Sequence, residues 1–333
     1  MRVLVTGSAG FVGFHLAKLL LERGHQVSGI DGMTPYYDVR LKQARHAQLE
    51  QTGAFQAFIH MLEDDDALST TMAAARPEVI VHLAAQAGVR YSLDHPRAYL
   101  ESNIVGTFNL LEQAKRIAPR HFLMASTSSV YGANQKMPFE ETDRTDHPMT
   151  IYAATKKATE DMAHSVAHLS GFPITVMRFF SVYGPFGRPD MALFQFTANA
   201  LAGKPIDVYN HGKMRRDFTY VSDVCESVSR LIAAPPKRDE PVADFDSLSP
   251  VAPYRVVNVG GGNVVELSAF IEEIEKATGV EVTRNMMGMQ VGDVPMTFAS
   301  PRLLNKLTGF TPSVPIERGV PEFVRWYRSY YEV

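Results

Sequence analysis

Short apolar runs alternate with longer amphipathic segments through the first half of the chain. A strand buried on both faces of a parallel sheet is apolar throughout, whereas the helix that connects two such strands is apolar on one side only. The helical patterns include Phe14 to Arg23, Ser102 to Arg116 and Tyr152 to Leu169. The strand-like runs are Val3 to Thr6, Gln26 to Ile30, Phe55 to Met61, Val79 to Ala84, Phe122 to Ser126 and Ile174 to Phe180. The pattern predicts an α/β fold with a doubly wound parallel sheet.

The alternation ends after Gly184, where prolines and glycines open an irregular region. We predict a main domain at 1–180 with later returns near 217–260, and a smaller α/β lobe at 181–333. Pro235 to Pro253 is rich in Pro, Asp and Ser and is expected to form a surface excursion that need not be ordered. The other elements predicted here are a helix at Leu193 to Leu201, a strand and helix within Asp217 to Ile232, a strand at Val256 to Val259, and helices at Leu267 to Thr278 and Glu317 to Tyr330.

Composition narrows the class of protein. The chain of 333 residues has a formal net charge of −3, a pI near 6.4 and one short basic cluster at Lys213 to Arg216, which argues against a nucleic-acid surface. It has no apolar run long enough to span a membrane, and Cys225 is its single cysteine, so we expect a cytoplasmic protein without disulfides. His164 and His168 lie four residues apart but lack a third ligand, which favours an exposed helix face and no metal.

A glycine-rich turn follows the first predicted strand and opens the first predicted helix. Gly7, Gly10 and Gly13 have the spacing GxxGxxG, which lets a pyrophosphate approach backbone N–H groups at the positive end of a helix. Asp31 ends the second strand, where a carboxylate accepts hydrogen bonds from ribose hydroxyls and repels a 2′-phosphate. Either feature alone could be a plain turn. Together they predict a Rossmann-type domain that binds NAD rather than NADP.

Tyr152 and Lys156 stand four residues apart at the start of a predicted helix and so share one helix face. A nearby ammonium favours a phenolate, so we expect the pKa of Tyr152 to lie below its usual value of about 10. Hydroxyl groups from Ser126 to Ser129 end the fifth strand, at the sheet edge where doubly wound proteins bind ligands. A phenolate base, a hydroxyl partner and NAD suit hydride removal from a secondary alcohol. By itself, the Tyr-Lys pair could equally begin an ordinary surface helix.

Together these motifs resemble the extended short-chain dehydrogenase/reductases of the NAD-dependent epimerase/dehydratase family, which remodel nucleotide sugars. The resemblance runs through nearly the whole chain. Within this family the sequence is most similar to the UDP-glucuronate 4-epimerases. The stretches that carry the resemblance are Tyr36 to Arg45, His82 to Gln86, Ala84 to Ser92, Arg178 to Gly184, Gly187 to Ala192 and Gly203 to Tyr220.

The resemblance implies roles for individual residues. Tyr152 would be the catalytic base, Lys156 would hold the nicotinamide ribose, and Thr127 would bond the reacting hydroxyl. The residues implied to contact NAD are Gly7, Gly10, Phe11, Val12, Gly13, Asp31, Leu83, Ala84, Ala85, Gln86, Tyr152 and Lys156. Those implied to contact a UDP-sugar are Arg90, Thr127, Ser128, Ser129, Ser181, Arg188, Val208, Tyr209, Arg216, Gln290 and Asp293.

Some of these assignments have plain alternatives. The resemblance places the diphosphate at Arg216 and the uracil near Val208 and Tyr209. Arg216 could instead be a solvated charge, and the other two could be strand core. Two residues depart from the family pattern. Gly32 stands where the family often has an Asn beside the ribose-binding acid, and Met61 stands where it usually has an Asp that contacts the adenine.

The residues that follow Thr127 favour epimerisation over related reactions. Nucleotide-sugar 4,6-dehydratases carry an Asp-Glu pair there, and UDP-glucuronate decarboxylases carry a Glu, but this chain has Ser128 and Ser129. The resemblance implies reversible C4 epimerisation of UDP-glucuronate to UDP-galacturonate through a transient 4-keto sugar. Ser128, Ser129, Ser181 and Arg188 are predicted to hold the sugar carboxylate, with Arg188 donating charge-assisted hydrogen bonds. A decarboxylase, an epimerase of a neutral UDP-sugar and an NAD-sensing regulator without turnover are the alternatives.

The resemblance also implies a homodimer. Members of the family commonly pair through the helices that correspond to Ser102 to Arg116 and Tyr152 to Leu169, which carry Val105, Phe108, Met162 and Val166. The alternative is that these apolar faces pack on the sheet of the same chain.

Overall fold

The computed structural model describes residues 1–290 and 292–333. Its strands are β1 (Arg2–Thr6), β2 (Gln26–Asp31), β3 (Phe55–Ile59), β4 (Val79–His82), β5 (His121–Thr127), β6 (Ile174–Phe179), β7 (Ser181–Tyr183), β8 (Ile206–Val208), β9 (Arg215–Tyr220), β10 (Tyr254–Val259), β11 (Val264–Glu266), β12 (Arg284–Met286) and β13 (Met296–Thr297). Its α-helices are α1 (Phe11–Glu22), α2 (Val39–Glu50), α3 (Asp65–Ala75), α4 (Tyr91–Asp94), α5 (Pro96–Tyr99), α6 (Gly106–Ile117), α7 (Ile151–Ser170), α8 (Ala192–Leu201), α9 (Val221–Ile232), α10 (Leu267–Thr278), α11 (Arg302–Thr308) and α12 (Ile316–Tyr331).

The main sheet of the described residues has the strand order β10-β6-β5-β4-β1-β2-β3, and every neighbouring pair is parallel. The order reverses between β1 and β4, where the carboxyl ends of the strands open a crevice. Alternate residues of β1 pack into core layers on opposite faces, because Val3 and Val5 contact one layer and Leu4 contacts the other. The doubly wound parallel sheet predicted from the apolar runs is confirmed.

Helix α7 carries the Tyr-Lys pair, and its first turn is fixed by a cap. The Thr150 side chain accepts a hydrogen bond from the backbone N–H of Ala153 at 3.2 Å. The helix ends at Gly171, whose φ of +75° is the left-handed conformation that glycine adopts without strain. Tyr152 therefore lies in the first turn of α7, above the carboxyl edge of the sheet.

The second half of the chain contributes to both layers. Strand β10 extends the main sheet beside β6, and helix α9 packs against α1. Helices α8, α10 and α12 share a separate core with strand β8. The chain thus returns to the main sheet after the lobe has begun, through α9 and then through β10.

The segment that precedes β10, predicted as a surface excursion that need not be ordered, is packed along the edge of the sheet by specific hydrogen bonds. Asp246 accepts hydrogen bonds from Arg255 Nε at 2.8 Å and Nη2 at 2.9 Å, and both side chains are almost fully buried. Ser247 Oγ accepts the N–H of Val256 at 3.0 Å. The segment therefore supplies a hydrogen-bond partner to the backbone of β10, an edge strand that would otherwise be exposed. His164 and His168 bond this segment, at Ser249 Oγ and Val251 O, each at 2.8 Å, and His168 is exposed as predicted.

None of the helices in the described ranges combines the length and the apolar character that crossing a membrane requires. Cys225 is buried in helix α9 as a free thiol. Within 1–290 and 292–333, no three His, Cys, Asp or Glu side chains come together as a possible metal site. The cytoplasmic location stays a prediction.

Candidate active site

The glycine-rich turn joins β1, α1 and the end of β4 at close quarters. Gly7 has a φ of +73°, and a Cβ atom built on it would lie 2.8 Å from Ala84 N. A Cβ atom on Gly13 would lie 2.0 Å from Gly7 O. Only glycine lets the backbone of the turn pack this tightly against the first turn of α1. The N–H groups at this helix end are placed as a diphosphate requires.

A cavity of about 500 Å³, which we call the glycine-loop cavity, lies over this turn. Asp31 lies on its wall at the end of β2 and accepts hydrogen bonds from Ala9 N at 3.0 Å and Met33 N at 2.9 Å. The carboxylate thus fixes the glycine turn and still has lone pairs that face the cavity. All the residues predicted to contact NAD line it: Gly7, Gly10, Phe11, Val12, Gly13, Asp31, Leu83, Ala84, Ala85, Gln86, Tyr152 and Lys156. These residues fit a dinucleotide.

Gly32 and Met61, the two departures from the family pattern, contact each other in the wall of the glycine-loop cavity. A Cβ atom built on Gly32 would lie 2.1 Å from Met61 Sδ. A side chain at position 32 therefore cannot coexist with Met61 in its present position. The two departures form one structural unit, in which the thioether covers the space left by the missing side chain.

A second cavity of about 520 Å³, the lobe cavity, lies between the sheet edge and the smaller lobe. Nine residues predicted to contact the UDP-sugar line it: Arg90, Thr127, Ser128, Ser129, Ser181, Arg188, Tyr209, Arg216 and Asp293. Two predicted residues do not line it. The Val208 side chain is 1% exposed and packs in the core of the lobe, as in the strand-core alternative. The placement of a uracil near Val208 and Tyr209 stays a prediction. Gln290 has a buried Oε1 without a hydrogen-bond partner among the described residues.

The outer end of the lobe cavity brings together charged groups. The Arg90 guanidinium lies 4.6 Å from the centre of the Tyr209 ring and 3.8 Å from Asp293 Oδ2. Arg216 Nη1 donates to the backbone oxygens of Arg215 at 2.9 Å and Pro295 at 3.3 Å. The two guanidinium groups give this end of the cavity the charge that a diphosphate requires, and the Tyr209 ring offers a flat apolar surface.

Four predicted residues line both cavities: Phe11, Thr127, Tyr152 and Arg188. Thr127 Oγ1 donates to Ser129 Oγ at 3.2 Å and accepts the N–H of Ser129 at 3.1 Å. The hydroxyl cluster therefore begins where the two cavities meet. A group placed at this junction can contact ligands in both cavities.

The acidity of Tyr152 differs from the sequence expectation. Burial raises the pKa of Tyr152 above 10, and a hydrogen bond with Thr127 lowers it only in part. Lys156 is 3% exposed, and burial lowers its pKa to about 8 although the charge of Glu160 opposes that change. Desolvation is thus the largest influence on the pKa of both side chains. Lys156 lines the glycine-loop cavity, where its ammonium can meet a cofactor ribose.

Arg188 is held by a partner that the sequence did not indicate. Its Nε donates to Asp190 Oδ1 at 3.0 Å, and its Nη2 donates to Asp190 Oδ2. The Tyr36 hydroxyl donates to the same Oδ2 at 3.0 Å. The guanidinium charge keeps the pKa of Asp190 below its usual value despite burial. The guanidinium that was predicted to meet a sugar carboxylate is therefore already paired with a carboxylate of the chain.

Asp190 and Tyr36 are the functional candidates that the residue-level predictions missed. Both lie inside stretches that carried the family resemblance, but those stretches assigned no role to either residue. Their separation of 154 positions hides the contact from any local pattern. The one available signal was the acid two residues after a candidate arginine.

Comparison with known proteins agrees with this geometry. Residues 3–246 match the family model of the NAD dependent epimerase/dehydratase family. The chain belongs to this family. The family assignment and its NAD cofactor, both predicted from the motifs, are confirmed.

Individual relatives support a narrower likeness. The chain is 59% identical to a probable UDP-glucuronate 4-epimerase of Rhizobium meliloti, over 99% of this chain and 98% of that protein. A crystal structure of UDP-glucuronic acid 4-epimerase from Bacillus cereus, in complex with UDP-glucuronic acid and NAD, is 30% identical with a TM-score of 0.88 and covers 99% of this chain and all of that one. The UDP-glucose 4-epimerase of Thermotoga maritima is 26% identical with a TM-score of 0.82, again over 99% of this chain and all of that one.

The contact between Gly32 and Met61 yields a prediction for NAD affinity. Gly32→Ala should weaken NAD binding about tenfold, because the new Cβ displaces Met61 into the cavity, and adding Met61→Ala should recover most of that loss. Titration calorimetry of the two single variants and the double variant measures the coupling. Gly288→Ala is the control, since a Cβ there meets no atom within 4 Å. Additive losses in the double variant would contradict the proposed contact.

Proposed function

We propose that this protein interconverts UDP-glucuronate and UDP-galacturonate by inverting the configuration at C4 of the sugar. The observation that carries the proposal is the position of Tyr152 and Thr127 at the junction of the two cavities. A sugar nucleotide in the lobe cavity can present its C4 hydroxyl to both side chains there. The likeness to UDP-glucuronate 4-epimerases over the whole chain supports the choice of sugar.

Each residue at the junction has a proposed task. Thr127 orients the C4 hydroxyl through a hydrogen bond, and Tyr152 removes its proton. NAD, when bound, supplies a hydride acceptor that holds the hydride until it is returned to the sugar. The 4-keto sugar turns its opposite face toward the glycine-loop cavity, and Tyr152 returns the proton to the new C4 hydroxyl. Gly7, Gly10, Gly13, Asp31 and Lys156 hold the cofactor.

The 4-keto sugar of this reaction is a β-keto acid and loses carbon dioxide readily unless its carboxylate is restrained. Ser128, Ser129 and Ser181 line the lobe cavity and offer hydroxyl donors to such a carboxylate. No acid stands at positions 128 or 129 to assist elimination or decarboxylation. Epimerisation is therefore favoured over the decarboxylase alternative.

Arg188 requires a modified role because Asp190 compensates its charge. The side-chain pair carries no net charge, so Arg188 adds little long-range attraction for an acidic sugar. Its remaining N–H groups can still donate hydrogen bonds to the carboxylate at short range. We propose that the three serines and Arg188 share the carboxylate, and that Asp190 limits the strength of that contact so that the keto sugar can turn.

A homodimer is the assembly we propose. Val105 is 44% and Phe108 is 51% exposed, beside further exposed apolar side chains at Leu93 and Leu100. Met162 and Val166, by contrast, pack partly against the core layer under the sheet, so the alternative holds for those two. The exposed set gives α6 and the stretch before it an apolar surface that a second copy would cover.

The main test of function follows the conversion of UDP-glucuronate by proton NMR, first without and then with added NAD. We expect galacturonate signals and no pentose, because the serines replace the acids of related enzymes. Tyr152→Phe should lower kcat by 10² to 10⁴-fold, since it removes the acid–base group. Lys156→Met should lower NAD affinity and activity, whereas Lys157→Met, at the next position of the same helix, should change neither. A pentose product would favour the decarboxylase, and a lack of any conversion with NAD present would refute the proposal.

The pairing of Arg188 with Asp190 predicts opposite effects of two substitutions. Arg188→Ala should weaken UDP-glucuronate binding at least tenfold and UDP-glucose binding much less, because only the acidic sugar uses the guanidinium. Asp190→Asn should strengthen UDP-glucuronate binding several-fold by leaving the arginine charge uncompensated. Competition binding with UDP-glucuronate and UDP-glucose measures the ratio of the two affinities in each variant. Unchanged UDP-glucuronate affinity in Arg188→Ala, without pentose formation, would remove Arg188 from the carboxylate site.

The proposed dimer is tested by a charge placed on its apolar surface. Phe108→Asp should convert the dimer to monomer in sedimentation velocity, because a buried carboxylate without a partner is costly. Met286→Asp is the control, since that side chain is 53% exposed in strand β12 of the smaller lobe. A wild-type monomer, or a Phe108→Asp dimer, would contradict the assignment of this surface.

A further inference from the structure

Arg45 is a fully buried arginine that lines neither cavity. It lies in helix α2, behind the wall that the two cavities share. Its hydrogen-bond acceptors are backbone oxygens and one phenol, none of which carries a full charge. Its Nε has no hydrogen-bond partner among the described residues. A buried guanidinium with only neutral acceptors is costly, so its retention calls for a specific function.

The contacts of Arg45 join the glycine turn to the segment that carries Arg188. Nη1 donates to Ala9 O at 2.7 Å, and Ala9 is the residue whose N–H bonds Asp31. Nη2 donates to Phe186 O at 2.6 Å and more weakly to Gly187 O at 3.5 Å. One planar group thus spans from the cofactor turn to the residue two positions before Arg188.

The same guanidinium also contacts the loop of Tyr36 and Tyr37, which bonds Asp190. Nη1 donates to the Tyr37 hydroxyl at 2.7 Å, and the preceding residue, Tyr36, donates to Asp190. Arg188 is therefore connected to Arg45 by two routes, one through the backbone at Phe186 and one through Tyr36 and Asp190. Phe186 has a φ of +55°, which is strained for a residue other than glycine and persists only where its surroundings fix it.

We infer that Arg45 is a positioning residue that couples the occupation of the glycine-loop cavity to the position of Arg188, so that NAD and the acidic sugar nucleotide bind cooperatively. The inference rests on the proposed function for the identity of the sugar. Its physical basis is that the glycine turn, whose Ala9 O accepts a hydrogen bond from Arg45, would hold the diphosphate of a dinucleotide. That negative charge would offset the guanidinium, and Lys42, in the same helix, lines the glycine-loop cavity itself. When Arg45 is held in place, its hydrogen bond to Phe186 O holds Phe186 as well. The position of Phe186 in turn sets how Arg188 approaches the sugar.

Cooperative binding is reciprocal, which makes the coupling measurable without turnover. The experiment compares the affinity for NAD, by titration calorimetry on nucleotide-free protein, in the absence and presence of saturating UDP-glucuronate. For the wild type we expect UDP-glucuronate to tighten NAD binding by about fivefold or more, the lower end of common coupling factors. Arg45→Lys keeps the charge but cannot reach both the turn and Phe186. In this variant we expect the ratio of the NAD affinities with and without UDP-glucuronate to fall close to one.

Two further variants separate coupling from stability. Arg255→Lys also replaces a buried arginine, one paired with Asp246 and away from both cavities, and should lower the unfolding temperature while keeping the wild-type ratio. Tyr37→Phe removes a single acceptor of Arg45 and should give an intermediate ratio in a folded protein. A wild-type ratio of one, or an Arg45→Lys ratio equal to that of the wild type, would overturn the inference. If UDP-glucuronate binds cooperatively but is not epimerised, the proposed function fails and this inference stands.

Discussion

The buried ion pair between Glu160 and Arg178 determines where the active site lies. Arg178 in β6 donates from Nη2 to Glu160 Oε2 at 2.7 Å and from Nε to Oε1 at 3.0 Å, and Ser126 at the end of β5 donates to the same carboxylate. These bonds attach helix α7 to two neighbouring strands. Lys156 lies one turn before Glu160, and Tyr152 lies one turn before Lys156. Loss of either partner would leave a buried charge at a cost of about 3 to 5 kcal/mol, so the phenol owes its position at the cavity junction to this pair.

The parts of the site that follow from local sequence patterns could be predicted. Gly10 and Gly13 are required by close contacts with Gly7 O in the same turn, and Gly7 has a positive φ. The spacing of Tyr152 and Lys156 follows from helix geometry. Arg45 meets Phe186 across 141 positions, and Asp190 meets Tyr36 across a similar distance, so no period or motif reveals either contact. The burial of the Val208 side chain could not be predicted either, because an apolar residue beside Tyr209 has no local signal that tells core from ligand surface. The sequence correctly predicted a strand within β10. Its position in the sheet depends on pairing with β6, far away in sequence, and no local pattern reveals that pairing.

The acidity of Tyr152 illustrates how two local effects compete. The sequence predicts that Lys156 favours the phenolate, but burial favours the neutral phenol and is the largest influence on the pKa of Tyr152. The hydrogen bond with Thr127 and the charge of Arg188 oppose the effect of burial. Burial also brings the pKa of Lys156 down to about 8, at which the ammonium is still mostly protonated near neutrality. A buried pair of this kind cannot hold a stable phenolate without further positive charge. A ligand that brings positive charge to the cavity junction would lower the pKa of Tyr152 toward the range in which it acts as a base.

A similar balance governs the selection of an acidic sugar. An arginine without a counter-ion would bind a carboxylate tightly but would also hold it through the step in which the keto sugar must turn over. Pairing Arg188 with Asp190 reduces its charge while keeping donors in place, and the serines supply neutral hydrogen bonds that break at lower cost. Because an epimerase must bind two configurations of one sugar equally well, moderate and distributed contacts suit it better than one strong ion pair. Selectivity then comes from geometry at short range, and Arg45 is placed to set that geometry.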